Sequence, residues 1–470
     1  MLILVLTILF PQWIRKTAVS EILGICLDKL NDDKIYYELD KIEENKNHLE
    51  DHLFRMTYRK DPSSYTIVNY DLSSSYFVGF KCKLSAFGRS KDDKHGNKQV
   101  IVGLLVNDKG YPFSWDVYPG NTAEVHTLTD KVDICRKRFK MKDITLVFDR
   151  GIVSDDNLEY ITDKKLKYIS CLDKDQIQNV PGIDLSIFKV LTTKDLSEKQ
   201  LSILGLDKYD QDLWFKDLGE KENRRYIRGL NPTLFKEERE SRIEKLRCFE
   251  EFVEKKNVEL KSAKRSRGYE ATKNCIINEL KRLKTKKYFN DEPVLEEIEI
   301  QPIDKDGKKG SLIKSYQVSI ERNEVNIDKD ELVEGLCVFV SNHIQKKEED
   351  VIFSSERIIK AYRDKTKIED AFKHIKSFLK IRPFFVNTDK HVRAVYTVSV
   401  VSYFINKDLA ERRKQIEGID YLNSKNLYEP FRGYDWIKLK DTLSGKTKGE
   451  EVWLSEEQKR LLNNLNINIQ

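Results

Sequence analysis

Apolar residues along the chain follow two different spacings. From residue 18 to residue 60 they recur at helical spacing without strand alternation, which predicts a helical N-terminal segment. Two runs rich in β-branched and aromatic residues, Ser64–Phe80 and Lys98–Val106, predict buried strands. A helical pattern at Thr122–Phe139 and a short apolar run at Asp143–Asp149 follow. This order of strand, helix and strand is typical of a mixed or parallel sheet.

The middle of the chain has a different pattern of apolar and charged residues. From about residue 175 to residue 330, long charged helical stretches alternate with short strand-like runs. Leu336–Asn342 then restores the pattern of a buried strand, and a helical segment with the sequence YRDKTKIEDAFKHIK follows at Tyr362–Lys376. We therefore predict an α/β core that is interrupted by a large insertion.

Composition excludes several classes of protein. The net charge of +6 over 470 residues is mild, and the seven cysteines are scattered without a C-x-x-C pair, which indicates a reducing compartment and no zinc site. The first ten residues are apolar, but they are too few to span a bilayer and lack the features of a secretory signal. We expect a soluble protein with no membrane part and no small-molecule cofactor.

One stretch is strongly basic. Residues 261–290 carry ten Lys or Arg side chains against two Glu side chains, a local net charge of +8. Such a stretch suits a polyanion, but a solvated helix face explains it equally well on charge alone.

Three acidic residues occupy unusual positions. Asp71 interrupts an apolar strand pattern, Asp149 ends the next core strand, and Glu369 lies in the last core helix. Each has a simple structural explanation, since Asp71 could cap a Ser-rich turn, Asp149 could begin a turn, and Glu369 could pair with Lys365 or Lys373. Together, however, two strand aspartates and a helical glutamate can form an all-oxygen site for hard divalent cations.

The spacing of the last core helix refines this hypothesis. An apolar stripe predicted to face the sheet consists of Ile368, Ala371, Phe372, Ile375 and Leu379. Glu369 borders that stripe, with Tyr362 and Lys376 seven residues before and after it and Lys365 one turn before it. A single continuous helix would therefore place a carboxylate at the edge of the core, between hydrogen-bond donors.

These residues resemble a known family. The spacing Tyr-x2-Arg-x3-Glu-x6-Lys of DDE transposases from bacterial insertion sequences is matched by Tyr362, Lys365, Glu369 and Lys376, with Lys in the Arg position. The segments YDLSSSYF with Asp71, PGN at residues 119–121 and VFDRG with Asp149 also resemble this family, as does the segment from Ile381. Several motifs in the right order make the combined match specific.

The resemblance implies a fold and a mechanism. The fold is an RNase H-like mixed sheet flanked by helices, with an insertion domain between the second Asp strand and the Glu helix. Asp71, Asp149 and Glu369 would hold two Mg²⁺ ions, or Mn²⁺ in their place, for cutting and joining DNA. Tyr362, Lys365 and Lys376 would hold the DNA backbone. The expected partners are terminal inverted repeats, target DNA and a second copy of the chain, in the bacterial cytoplasm at the nucleoid.

The predicted domain organisation follows from the same comparison. Its ranges are a helical N-terminal segment with a DNA-binding part that could be truncated (1–62), the first part of the core (63–174), the basic insertion (175–330), the second part of the core (331–412) and a C-terminal region (413–470). Trp214 lies in the insertion, where relatives can stack an aromatic residue on a flipped base, but burial in the core of the insertion is the favoured role. Two alternatives remain open: a DNA-binding remnant without catalysis, and a metal-dependent nuclease that joins no ends.

Overall fold

The computed structural model describes residue 14 and residues 30–465, apart from a set of gaps. The gaps are 80, 89–95, 181–195, 291, 304–308, 345, 348–349, 352, 379–383, 385, 419–425, 432–434, 441–446 and 453. The apolar first ten residues and Leu379 lie outside the described residues.

The strands are numbered in chain order. They are β1 (Ile67–Tyr76), β2 (Gln99–Asn107), β3 (Pro112–Pro119), β4 (Thr145–Phe148), β5 (Lys167–Cys171), β6 (Asp207–Lys208), β7 (Trp214–Lys221), β8 (Arg224–Leu230), β9 (Val294–Ile300), β10 (Ile313–Ser319), β11 (Leu336–Ser341), β12 (Lys346–Lys347), β13 (Asp350–Val351), β14 (Asp435–Lys440) and β15 (Thr447–Val452).

The α-helices are numbered in the same way. They are α1 (Asp32–Glu44), α2 (Lys46–Lys60), α3 (Leu128–Asp133), α4 (Asp155–Asp163), α5 (Lys174–Asn179), α6 (Glu198–Ile203), α7 (Pro232–Lys261), α8 (Tyr269–Leu283), α9 (Glu324–Glu331), α10 (Ser355–Arg363), α11 (Thr366–Lys373), α12 (Asp389–Glu417) and α13 (Glu456–Asn464).

The chain forms two compact units. The first comprises Met1–Ser170 and Arg357–Gln470, and the second comprises Cys171–Glu356. The second unit is therefore inserted into the sequence of the first. Strand β11 belongs to the second unit by this division and pairs antiparallel with β8.

The sheet of the first unit has the order β3-β2-β1-β4-β5. Strands β1, β2 and β3 pair antiparallel, whereas β4 pairs parallel to both β1 and β5. All nine residues of β2 are buried, which agrees with its continuous apolar run. The predicted class, an RNase H-like mixed sheet flanked by helices, is confirmed.

Helices cover this sheet as their apolar spacing predicted. Ile368, Ala371, Phe372 and Ile375 are all buried in one hydrophobic cluster with residues of β2, β3 and α12. Across the same cluster, the indole N–H of Trp115 on β3 donates to the hydroxyl of Thr397 on α12 at 2.9 Å. The apolar stripe of the Glu369 helix is thus confirmed for the described residues.

A glycine in the PGN turn is required by close backbone approach. A Cβ atom on Gly120 would lie 1.9 Å from the carbonyl oxygen of Gln99, and no side chain fits at that distance. The Gln99 amide donates to the carbonyl of Gly120 at 2.8 Å. This part of the family resemblance therefore reflects packing at the ends of β2 and β3 rather than chemistry.

A buried network of charges links β3 to helices of the first unit. Asp116 on β3 accepts hydrogen bonds from Lys131, whose side chain is fully buried, and from Lys46 at 2.5 Å. Burial opposes the ionisation of Asp116, but attraction to these two ammonium groups outweighs it, so the pKa of Asp116 lies below its usual value. Next to it, buried Glu50 accepts from the backbone N–H of Trp115 at 2.8 Å and from Arg138 at 2.5 Å.

The second unit mixes helices and strands. Strand β8 pairs with β7 and β11, and β9 forms a separate hairpin with β10. Helix α7 is 30 residues long and begins at Pro232 after an N-cap by Asn231. Trp214 is buried among leucine side chains and Phe235, so the favoured role of this residue, burial in the unit's own core, is confirmed.

A buried Arg-Glu-Arg group anchors α7 within the second unit. Glu334 accepts a hydrogen bond from Arg239 at 2.8 Å and another from Arg242 at 2.7 Å, and all three residues are buried. Arg239 also lies over the ring of Phe235, 4.3 Å from its centroid. The longest helix of the unit is thus held by paired charges as well as by its apolar side.

The six cysteines in the described part of the chain are free thiols. None of the helices in the described residues is long and apolar enough to cross a membrane.

Candidate active site

The two strand aspartates lie on neighbouring strands. In the parallel pairing of β1 with β4, Tyr70 lies opposite Phe148. Because Asp71 follows Tyr70 and Asp149 follows Phe148, the two aspartates occupy equivalent positions on adjacent strands. Strand β4 ends at Phe148, whereas β1 continues to Tyr76, so Asp149 lies at a strand end and Asp71 within a strand.

Local backbone contacts orient both carboxylates. Asp149 Oδ1 accepts from the N–H of Arg150 at 2.8 Å and begins a 3₁₀ turn at Arg150–Ile152. The turn-initiating role considered for Asp149 is therefore observed. Asp71 Oδ1 accepts from the N–H of Leu72 at 2.7 Å. The alternative that Asp71 caps a Ser-rich turn is wrong, because the serines that follow Asp71 belong to strand β1.

Tyr362 and Lys365 both reach Asp149. The ammonium of Lys365 lies 3.3 Å from Asp149 Oδ1, and the hydroxyl of Tyr362 donates to the same oxygen at 3.3 Å. Lys365 also lies 3.6 Å from Glu369 Oε1 and 5.3 Å from the centre of the Tyr362 ring. One lysine thus joins the carboxylate of β4 to the carboxylate of the helix.

Exposure differs sharply within this group. The side chain of Lys365 is 11% exposed, that of Asp149 is 37% exposed, and that of Glu369 is 56% exposed. Glu369 therefore faces solvent at the border of the buried stripe, as its helical position predicted. The pairing of Glu369 with Lys365, which was the simple structural explanation for this glutamate, is also observed.

The prediction of one continuous helix from Tyr362 to Lys376 is wrong. Helix α10 ends at Arg363, α11 begins at Thr366, and a π-helical turn covers His374–Phe378. The backbone N–H of Lys365 bonds to the carbonyl of Tyr362, which is the shorter spacing of a 3₁₀ turn. This break and the π-helical turn remove the simple seven-residue alignment of Tyr362, Glu369 and Lys376.

Lys376 is half-buried in the π-helical turn. Its neighbour His374 is packed against Tyr403 with ring centroids 5.3 Å apart, and burial lowers the pKa of this imidazole. π-Helical turns inside helices occur frequently at functional sites. The structure places Lys376 in a π-helical turn that directly follows α11.

The acidic residues of the candidate site suit a metal ion by their chemistry but, among the described residues, not by their arrangement. No group of three or more His, Cys, Asp or Glu side chains in the described residues is arranged to hold a metal ion. However, Asp149 and Glu369 converge on the single cation of Lys365, and carboxylate oxygens are the donors that Mg²⁺ and Mn²⁺ prefer. The donor chemistry therefore fits a hard divalent cation.

Sequence reasoning missed Asp116 as an acidic residue with an important role. It lies within the aromatic pattern of β3, and burial of an acidic residue in a strand demands a partner. The same argument was applied to Asp71, so the signal was present in the sequence. Its partners Lys131 and Lys46 could not be identified, because they come from separate segments.

The fold and the positions of the acidic residues define an α/β protein of the RNase H-like class. Residues 79–405 match the family model of the transposase DDE domain, and the chain belongs to this family. A comparison with curated proteins finds no match.

Two solved transposase structures show distant similarity. One is the cryo-EM structure of a piggyBac transposase synaptic complex with hairpin DNA, with 7% identity and a TM-score of 0.34 over 77% of this chain and 51% of that chain. Another is a Mos1 transposase paired-end complex with the left transposon end, with 12% identity and a TM-score of 0.18 over 30% of this chain and 43% of that chain. The chain thus spans about half the length of these proteins.

Proposed function

We propose that this protein is a DNA transposase that cuts the ends of an insertion sequence and joins the freed 3′-hydroxyl ends to target DNA. Membership of the DDE family is the main support for this activity. The observation in the site that supports it is the equivalent placement of Asp71 and Asp149 on adjacent parallel strands, with Glu369 linked to Asp149 through Lys365.

The three carboxylates would hold two Mg²⁺ ions, with Mn²⁺ as a substitute. When bound, such a pair of ions stabilises the attacking and leaving oxygens of an in-line phosphoryl displacement. Asp149 is oriented for this role by the N–H of Arg150 and by the Tyr362 hydroxyl. Lys365 offsets the repulsion between Asp149 and Glu369 before any cation binds.

The cations beside the carboxylates would bind the DNA backbone. Tyr362, Lys365 and Lys376 supply hydrogen-bond donors and positive charge, which position phosphates without determining sequence specificity. The substrate would be the terminal inverted repeats of the element, held by a homodimer so that two ends are processed together.

The direct test uses the DNA that flanks the gene. Duplexes with the flanking inverted repeats, a target plasmid, Mg²⁺ and the full chain should yield nicked ends and then joined products. Nicking without joining would favour a nuclease, and binding without nicking would favour a non-catalytic remnant. Either result would contradict the proposed activity. EDTA in place of Mg²⁺ provides the control.

Replacement of Lys365 by Met should change stability in a cation-dependent way. Without Lys365, the carboxylates of Asp149 and Glu369 face each other unscreened, so we expect a loss of about 1 kcal/mol in the absence of divalent cations. Mg²⁺ should then raise the melting temperature more in this variant than in the original chain. The measurement is thermal unfolding with Mg²⁺ or EDTA.

Lys360→Met is the matched control for this experiment. Lys360 forms an exposed pair with Asp364 at 2.7 Å on the preceding helix, so its loss should have little effect. An equal response of the two variants to Mg²⁺ would contradict a specific role for Lys365 between the carboxylates.

Lys376→Ala should weaken binding to DNA ends and reduce the salt dependence of binding. Loss of one phosphate contact lowers the slope of log K against log salt by about 1. Fluorescence anisotropy over a series of KCl concentrations without divalent cations measures this slope. A slope equal to that of the unchanged chain would exclude a phosphate contact by Lys376.

A further inference from the structure

The second unit carries a group of exposed cations that the candidate active site does not use. They flank helix α8 and are called the α8 basic surface: Lys261, Lys264, Arg265, Lys281, Lys284 and Lys286. All six are exposed, and in the described part of the chain none of them forms an ion pair. The sequence left their role open between a polyanion site and an ordinary solvated helix face.

The neighbouring helix α7 shows what an ordinary solvated face looks like in this unit. Arg247 pairs with Glu244 and Glu251, and Lys256 pairs with Glu259 at 2.8 Å. Lys255 lies 4.0 Å from Glu251. These three cations of α7 thus have intrahelical carboxylate partners at the spacing that stabilises helices, whereas Lys245 and Lys261 on the same helix are exposed without an ion pair to any described residue.

The α8 basic surface lacks such compensation. Of the two acidic residues between Lys261 and Asn290, Glu279 is already held by Arg282 at 2.5 Å. Exposed Glu296 and Glu299 of the same unit lie on β9 and form no ion pair with the described cations. Other cations of the same stretch are paired, namely Arg267 with Glu259, Lys273 with Glu292 and Lys287 with Asp330. The six cations of the α8 basic surface are not paired with any residue that the structure describes, so they contribute a positive field.

Lys284 has a left-handed backbone conformation, which Lys140 and Lys165 share among the described residues. Lys284 caps α8 with φ +57°, the left-handed conformation for which Gly or Asn is the ordinary choice. A residue with a Cβ atom is strained in this conformation. A lysine at this position is unfavourable for the backbone and places a charge at the exposed end of the helix.

The dimensions of the surface suit a nucleic-acid backbone. Three of the cations precede α8 and three lie in or beyond its last turn, and the axis of this 15-residue helix is about 21 Å long at 1.5 Å per residue. At about 3.4 Å per base pair, this distance corresponds to roughly six base pairs of duplex DNA. The buried side of α8, with Thr272, Ile276 and Leu280, packs on the core of the unit and leaves both groups of cations at its ends.

We propose that the α8 basic surface binds the phosphate backbone of double-stranded DNA without sequence preference. This inference rests on the proposed transposase function for the choice of DNA among polyanions. It adds a DNA contact in the second unit that is separate from Tyr362, Lys365 and Lys376. Its contribution would be to hold the duplex flanking the cleavage position through counterion release.

The test compares two triple variants of the full chain that lose the same net charge. The first is Lys264→Gln, Arg265→Gln and Lys284→Gly in the α8 basic surface. The second is Arg247→Gln, Lys255→Gln and Lys256→Gln on α7. The probe is a random-sequence 30-base-pair DNA duplex without divalent cations, followed by fluorescence anisotropy from 50 to 300 mM KCl.

The α8 variant should bind at least about tenfold more weakly at 100 mM KCl, with a salt slope reduced by about 2 to 3. The α7 variant should bind like the unchanged chain. If both variants bound DNA equally weakly, the loss of net charge alone would explain the effect and the proposal would be overturned. Weakening for duplex RNA of the same length but not for DNA would overturn it as well.

Folding and activity controls separate this inference from the proposed function. Lys284→Gly relieves a left-handed lysine, so this single variant should retain or raise the melting temperature while its DNA affinity falls. If the unchanged chain cuts and joins DNA but the α8 variant binds normally, this inference alone fails. If the unchanged chain neither cuts nor joins DNA but the α8 variant loses binding, the proposed activity is contradicted and DNA binding by the α8 basic surface is supported.

Discussion

Replacement of Asp149 by Asn should abolish Mg²⁺-dependent cleavage of DNA ends while leaving DNA binding intact. Asp149 contacts the ammonium of Lys365, the hydroxyl of Tyr362 and the backbone N–H of Arg150. Asn keeps the shape and one oxygen but loses the charge that a hard cation requires. Outer partners of metal ligands cost up to about 100-fold when they are replaced, and Asp149 would be a ligand itself, so we expect the rate of nicking to fall by more than about 100-fold.

Asp71→Asn and Glu369→Gln should give the same result. The three variants are compared by single-turnover nicking of a labelled end duplex and by anisotropy of the same duplex in EDTA. Asp364→Asn is a matched control, because Asp364 lies on the same segment and pairs with Lys360 and Lys367. Full nicking by any one of the three variants would remove that residue from the active site.

Replacement of Asp116 by Ala should cause a large loss of stability. The change leaves the fully buried ammonium of Lys131 without a carboxylate and removes a partner of Lys46. Removal of one partner of a buried ion pair costs about 3 to 5 kcal/mol, because the remaining charge cannot return to water. Urea unfolding followed by tryptophan fluorescence measures the loss, since Trp115 is adjacent to Asp116.

Two further variants test this explanation. Glu38→Ala removes an exposed pair with Lys34 on α1 and should cost less than about 1 kcal/mol. Addition of Lys131→Met to Asp116→Ala should recover part of the loss, because the unpaired charge is then absent. A double variant that is less stable than Asp116→Ala alone would contradict the buried-charge explanation.

The stability that Asp116 contributes should decrease as the pH falls. The pKa of Asp116 lies below its usual value of 3.8 in the folded chain. Its contribution is therefore complete above about pH 4 and is lost as the pH falls through the lower, folded-state pKa. Asp116→Ala should accordingly show a smaller loss of stability between pH 5 and pH 2 than the unchanged chain.

Much of the core could be predicted because its elements follow local rules. The apolar runs of β1, β2 and β4 and the helical spacing around Ile368 depend only on which side of each element is buried. The break at Asp364 and Lys365 could not be predicted, because no Pro or Gly marks it and the surrounding spacing continues.

By itself, the sequence determined the strands that end in or contain Asp71 and Asp149, the buried stripe beside Glu369, and membership of the DDE transposase family. These features are encoded by spacing and motif order, which are local. Only the tertiary structure decided that Tyr70 lies opposite Phe148, that Lys365 joins Asp149 to Glu369, and that Asp116 pairs with Lys131. Each of these contacts, apart from the one between Lys365 and Glu369, joins residues that are distant in sequence or in separate elements. Burial pattern specifies which residues turn inward, but strand pairing and charge pairing specify which of them meet.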